Sequence, residues 1–191
     1  MNRRKLTRAF RYFAMALLLF AIMVFFFRSK LRDFSVDDTK FATEIEAAAQ
    51  RHGLDPQLVR SVVFQESRFD RFARGKSGEI GLMQIMPSGA AAEWARRNRQ
   101  RKPNATELSD PAMNLEIGCW YLAHGMKKYA AYKQGTELAL ARYNAGERRS
   151  ERWKPTDNNG DVVSKIGIHS TRDYVEKIMA RYKKYKRQVM R

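Results

Sequence analysis

Glu66 stands where an apolar side chain would be expected. In a helix opened by Asp55-Pro56, Val59, Val62, Val63 and Glu66 fall within about 100° of one another, so the face that should enter the core ends in a carboxyl group. An ionised Glu there is costly unless paired, and loss of water raises its pKa toward the range of a general acid. The bland alternative is a helix-end Glu that turns to solvent or pairs with Arg60 or Arg68. Downstream, Gly75, Gly78 and Gly81 allow close backbone approach and deliver Met83 and Gln84 just before Pro87 stops the chain. This stretch lacks the spacing and the Lys-Ser/Thr ending of a phosphate loop, which argues against ATP chemistry. Farther on, Tyr143 and Asn144 end a helix ahead of Gly146, either as core and cap or as a hydroxyl and an amide aimed at a ligand. His52, His124 and His169 are far apart and unaccompanied, so neither metal nor cofactor is implied.

These residues require helices to position them. Helical patterns cover 40–52, with Asp37 to Thr39 as candidate caps, then 56–67, 88–98, 110–132 and 136–146. Asp55-Pro56 and Asp110-Pro111 are cap and first-turn pairs. Ser170-x-x-Asp173 is a near-capping box for a last helix that presents Tyr174, Ile178, Tyr182 and Tyr185 on one side. The 110–132 helix is apolar nearly all round, as befits the centre of a bundle, and holds Cys119 as a small buried hydrophobe. Residues 97–110 and 147–169 read as loops, and no period-2 strand pattern appears. An all-α domain over 40–191, with a basic C-terminal tail, is expected.

Composition points the same way. The chain has 191 residues, 44% of them hydrophobic, with a single cysteine, which excludes a disordered tail and a disulfide scaffold. Its formal charge of +17 invites a nucleic-acid reading, but eight basic residues and no acid lie in 1–32. Between Arg11 and Arg28 runs an apolar stretch of sixteen residues, roughly 24 Å long as a helix. Flanking cations suit a transmembrane signal-anchor over 12–28, with 1–11 cytoplasmic by the positive-inside rule and 29–39 a tether. The run ends in FFFRSKLRD, without a small-residue cleavage site or a lipid-accepting cysteine. At the other end, residues 181–191 hold six cations, no acid and two tyrosines, a pattern that suits stacking on bases, anionic lipid or the acidic peptide stems of a cell wall. The export topology favours the last two, and no nucleic-acid partner is expected.

Taken in order, Glu66-Ser67, Gly81-Leu82-Met83-Gln84-Ile85-Met86-Pro87, Asn114-x-x-x-Gly118-x-x-Tyr121-Leu122, Tyr143-Asn144-Ala145-Gly146 and Thr171-Arg172-x-Tyr174-Val175 resemble the successive motifs of the soluble lytic transglycosylase catalytic domain, over about 40–185. The resemblance implies a lysozyme-like α fold and cleavage of the β-1,4 bond between N-acetylmuramic acid and N-acetylglucosamine, with a 1,6-anhydro product. It implies Glu66 as the single catalytic acid and base, and Ser67, Met83, Gln84, Tyr143 and Asn144 as substrate-binding or supporting residues. Met83 would lie beside a sugar face, and the Tyr143 hydroxyl near Glu66. Tyr121 and Tyr174 match family positions and are equally well explained as packing, whereas Arg172 reads better as structural. Where many members have Ser-Pro, this chain has Gly75-Lys76, and Glu79 replaces a small residue. Asp70 or Glu79 as a second carboxylate would make the chain a muramidase-type hydrolase instead, and the same fold would also serve a non-catalytic peptidoglycan-binding module of a secretion or pilus assembly. Implied partners are peptidoglycan strands, the bacterial inner membrane through the N-terminal helix, and wall-spanning machinery, with the domain on the periplasmic or wall side.

Overall fold

The computed structural model describes residues 12–24 and 36–190. It divides at Asp37 and Asp38 into two compact units. The first contributes one helix, α1 (residues 12–24), whose apolar side chains, Leu18 and Phe20 among them, are exposed. No helix among the described residues is long and apolar enough to cross a membrane. The rest of the expected 12–28 anchor, the 1–11 segment and most of the 29–39 tether lie outside the described residues.

The second unit is all-α, with helices α2 (Ala42–Arg51), α3 (Pro56–Ser67), α4 (Ala90–Arg97), α5 (Pro111–Lys128), α6 (Gly135–Ala145), α7 (Glu147–Ser150) and α8 (His169–Val189). Among the described residues the only β pairing is two isolated bridges, Arg74 with Ile80 and Ile80 with Ile85. Leu115, Ile117, Cys119 and Leu122 are buried on several sides of α5, which packs against α2, α4 and α6 at the centre. Burial pushes the Cys119 thiol up to about 12, with Glu116 adding to the shift, so it behaves as an inert core group.

Helix α3 and helix α8 lie side by side, antiparallel, and are joined near both ends. At the start of α3, Asp55 caps the helix by accepting the Gln57 N–H at 2.8 Å, while its other oxygen accepts from Tyr182 and Lys186, each at 2.8 Å. Burial alone would raise the Asp55 pKa, but these donors outweigh it and hold the carboxyl below its ordinary value. Arg60 donates twice to Asp38, at 2.8 Å each, and stacks on the Tyr185 ring.

The loop after α3 is held by α5. Asn114 is wholly buried, accepts the Met83 N–H at 2.8 Å and donates to the Ile80 and Leu108 carbonyls at 2.8 and 2.7 Å. Gly81 has φ 79°, and a Cβ there would stand 2.6 Å from the Leu108 carbonyl oxygen, so this position needs glycine on both counts. Ser67 donates to Leu82 O at 2.8 Å, which fastens the loop to the end of α3 as well.

Several expected boundaries move for identifiable reasons. Helix α2 starts at Ala42 because Phe41 is left-handed at φ 63° and no side chain caps it; Asp38 is engaged by Arg60 instead. Helix α5 ends at Lys128 rather than near 132, because Tyr129 leaves the helix and its hydroxyl bonds Ser150 and Glu151. The 147–169 stretch is not plain loop: buried Ser150, Trp153, Val162 and Ile166 pin α7 and two short 3₁₀ turns. No capping box forms at Ser170, and Asp173 pairs with Lys177 along α8.

Two outcomes test these ties. Asn114→Ala leaves buried backbone groups without partners and is expected to cost about 3 kcal/mol in denaturant unfolding. Asp55→Asn is expected to cost about 1–2 kcal/mol at pH 7. Because the folded-state pKa of Asp55 is depressed, its contribution is present above the unfolded carboxyl pKa and fades as pH falls through the folded value. The wild-type and Asp55→Asn stabilities should therefore converge in acid.

Candidate active site

Glu66 occupies the last turn of α3, one residue before the chain turns out of the helix through Arg68 and Phe69, both with positive φ. Its Oε1 accepts a hydrogen bond from the Tyr174 hydroxyl at 2.6 Å. Tyr174, on the first turns of α8, is itself buried. Desolvation pushes the Glu66 carboxyl up to about 7; the Tyr174 bond opposes that shift and the negative charge of Glu79 adds to it. Neither of the two arginines expected as its partner takes it up: Arg60 is bonded to Asp38, and Arg68 lies over the Phe64 ring. A carboxyl that is half protonated near neutral pH is equipped to donate a proton and then take one back.

Glu66 opens onto a cavity of about 330 Å³ shared with Lys76, Glu79, Gln84, Tyr143 and Asn144. A second hollow of about 130 Å³, lined by Met86, Gly89, Ala90 and Tyr121, shares Gln84, Met86 and Tyr143 with the first, so the two form one cleft. Gln84 sits at φ 47°, with its side-chain nitrogen donating to Gly81 O at 3.0 Å and Ala73 O at 3.3 Å. A non-glycine residue in the left-handed region is uncommon, and here it holds Gln84 on the cleft wall. Glu79 is positioned by the Ser77 N–H at 3.0 Å, and a Cβ on Gly75 would strike the Glu79 carboxylate and the Gln84 amide oxygen.

The other expected residues divide. Ser67 supports the site by holding Leu82, and lines no cavity with Glu66. Met83 is fully buried, against Gly118 of α5, and does not line the cleft; its backbone serves Asn114 and Tyr143. Tyr143 lines the cavity, but its hydroxyl donates to Met83 O at 2.8 Å rather than to Glu66. Asn144 is exposed on the rim and accepts from Thr171 at 2.8 Å, linking α6 to α8. Asp70 caps a turn by accepting the Phe72 N–H, away from the cavity. Arg172 donates to Ile166 O, a structural role. Tyr174, which the sequence leaves open between a family position and packing, is the hydrogen-bond partner of Glu66. Its signal lay in the sequence as a tyrosine on the core face of the last helix, but no spacing ties α8 to α3.

The transglycosylase SLT domain family model matches residues 43–163. Membrane-bound lytic murein transglycosylase E of Buchnera aphidicola is 39% identical over 98 residues, covering 51% of this chain and 44% of the relative. Membrane-bound lytic murein transglycosylase C of Edwardsiella ictaluri is 28% identical over 148 residues, covering 75% of this chain and 41% of the relative. This chain thus spans less than half the length of those relatives. Among solved structures, an inactive Glu-to-Gln mutant of lytic transglycosylase Slt from Pseudomonas aeruginosa superposes with a TM-score of 0.70 at 25% identity, over 79% of this chain and 24% of the other. With more than half of its residues matched, and with that fold, the chain belongs to the transglycosylase SLT domain family.

Proposed function

We propose that this chain is a membrane-anchored lytic transglycosylase of peptidoglycan, with Glu66 as its single general acid and base. The observation that carries the reading is the Glu66 carboxyl, desolvated to a pKa of about 7 at the floor of a cleft. Protonated Glu66 gives its proton to the glycosidic oxygen as the bond to C1 of N-acetylmuramic acid breaks. The resulting carboxylate then takes the proton of the muramic C6 hydroxyl, whose oxygen bonds C1. The product is a 1,6-anhydro ring, no water is consumed, and Glu66 ends protonated as it began. Gln84 and Tyr143 line the wall beside the reacting sugar, and Tyr174 steadies the carboxylate between the two proton transfers. The relatives named as lytic murein transglycosylases, and the inactive Glu-to-Gln mutant of Slt, support this chemistry.

The anchor reading rests on sequence and on names. Apolar residues 12–28 between basic clusters would cross the inner membrane, 1–11 would be cytoplasmic, 29–39 a tether, and 40–191 the catalytic domain outside. The exposed apolar side chains of α1, and relatives called membrane-bound, fit that arrangement. A place beside wall-spanning machinery suits such a tethered enzyme. Glu79, in the same cavity as Glu66, gives a two-carboxylate hydrolase its one specific support.

Digestion of purified sacculi with mass analysis separates the readings. Anhydro-ended fragments, absent with Glu66→Gln, are the expected result; reducing-ended fragments, heavier by one water and lost with Glu79→Gln, would make the chain a hydrolase. The alkaline limb of kcat/KM should fall near pH 7 as Glu66 loses its proton. Tyr174→Phe removes a bond that lowers the pKa and should move that limb to higher pH; Glu79→Gln removes a repelling charge and should move it lower. The raised folded-state pKa means that Glu66 costs stability as pH climbs from the unfolded carboxyl range through about 7, so Glu66→Gln should melt a few degrees above wild type at pH 8.

A further inference from the structure

The end of the domain opposite the cleft carries a surface of a different kind. Helix α3 runs from Asp55 to Glu66, a rise of about 16 Å, and antiparallel α8 runs from Tyr174, at Glu66, to Lys186, at Asp55, about 18 Å away. The pole marked by Asp55 and Lys186 is therefore remote from the reacting carboxyl. It is also where the chain comes into the domain, because Asp38 is bound there by Arg60.

The last turns of α8 at this pole are cationic and uncovered. Lys183, Lys184, Lys186 and Arg187 are exposed, and residues 181–190 include no acid. With Tyr185 and Ile178 buried, Lys183, Arg187 and Met190 fall within about 60° of one another on the outward side. Of the nearby acids, Asp38 is paired with Arg60 and Asp55 with Lys186, while Glu46, bonded only to the neutral Gln50 amide, keeps its charge at the edge of this surface. Past the core, Val189 and Met190 are 67% and 81% exposed, overhanging a cavity of about 780 Å³ lined by Ala42, Ile45 and Pro56. Long cationic stems around exposed apolar side chains are the pattern of a helix end that lies on an anionic bilayer, with the charges at the headgroups and the apolar residues just below them.

We propose that the C-terminal end of α8 is a docking surface for anionic lipid, which sets this pole on the membrane and turns the Glu66 cleft away from it. The proposal goes beyond the catalytic reading and needs no activity. Phospholipid headgroup phosphates are the partner chemistry; each cation near the surface strengthens such contact about fivefold, and salt weakens it.

The test uses the full chain with an environment-sensitive thiol label at Met190→Cys, and at Ser77→Cys in the cleft loop as a control. Native Cys119 is buried and stays unlabelled. Vesicles of phosphatidylglycerol or of phosphatidylcholine carry a lipid-borne quencher. The expected result is quenching at position 190 at least fivefold greater in phosphatidylglycerol, reversed by 0.5 M salt, which is about a 4 Å screening length, and by combined Lys183→Glu, Lys184→Glu and Arg187→Glu, with no response at position 77. Equal signals in the two lipids, or an effect untouched by charge reversal, would overturn the proposal. So would a label that responds to sacculi or to DNA and not to phosphatidylglycerol. A chain that floats with neither vesicle defeats the anchor; one that floats with both while position 190 stays in water defeats only this docking.

Discussion

The site depends on stripping most of the water from one carboxyl group. Glu66 lies on the buried side of α3, and its hydrogen bond from Tyr174 joins residues 108 positions apart. Isolated, α3 would expose that group and leave it an ordinary acid. Packed against α8, it is desolvated to a pKa of about 7, and the fold carries the cost of that desolvation as strain on its own stability. The Asp55 cluster at the other end of the same helix pair fixes the register of α3 on α8. It thereby fixes where Tyr174 meets the carboxyl.

Polar side chains do the remaining positioning through backbone rather than through ligand. Asn114 reads the loop from the far side of the core, Ser67 reads it from the end of α3, and Tyr143 holds the Met83 carbonyl. Between them, they fix Ile80, Leu82 and Met83, and leave Gln84 projecting from a strained conformation. Gly118 lets the Met83 side chain seat against α5, which places the loop close enough for Asn114 to reach it.

Much of this was legible from the chain alone. The Asp-Pro caps of α3 and α5, the apolar circumference of α5 and the misplaced Glu66 are local patterns, and local patterns survive folding. What could not be read was long-range. Nothing in the sequence distinguishes Tyr143 from Tyr174 as the partner of Glu66, since that depends on how α6 and α8 cross. Met83 was assigned to a sugar face and lies in the core instead, because one residue of loop register separates an inward side chain from a cleft-lining one. Boundaries moved where a tertiary contact outbid a local cap, as when Arg60 took Asp38 and Tyr129 left α5 for Ser150.

Gly75 constrains the charge of the cleft loop. Along the chain, Gly75 and Glu79 look independent. In space they are coupled, because a side chain at position 75 would displace the Glu79 carboxylate and the Gln84 amide from their seats. Glu79 can hold its present seat only while position 75 carries no side chain, so the placement of this negative charge beside Glu66 is governed by an atom that is missing.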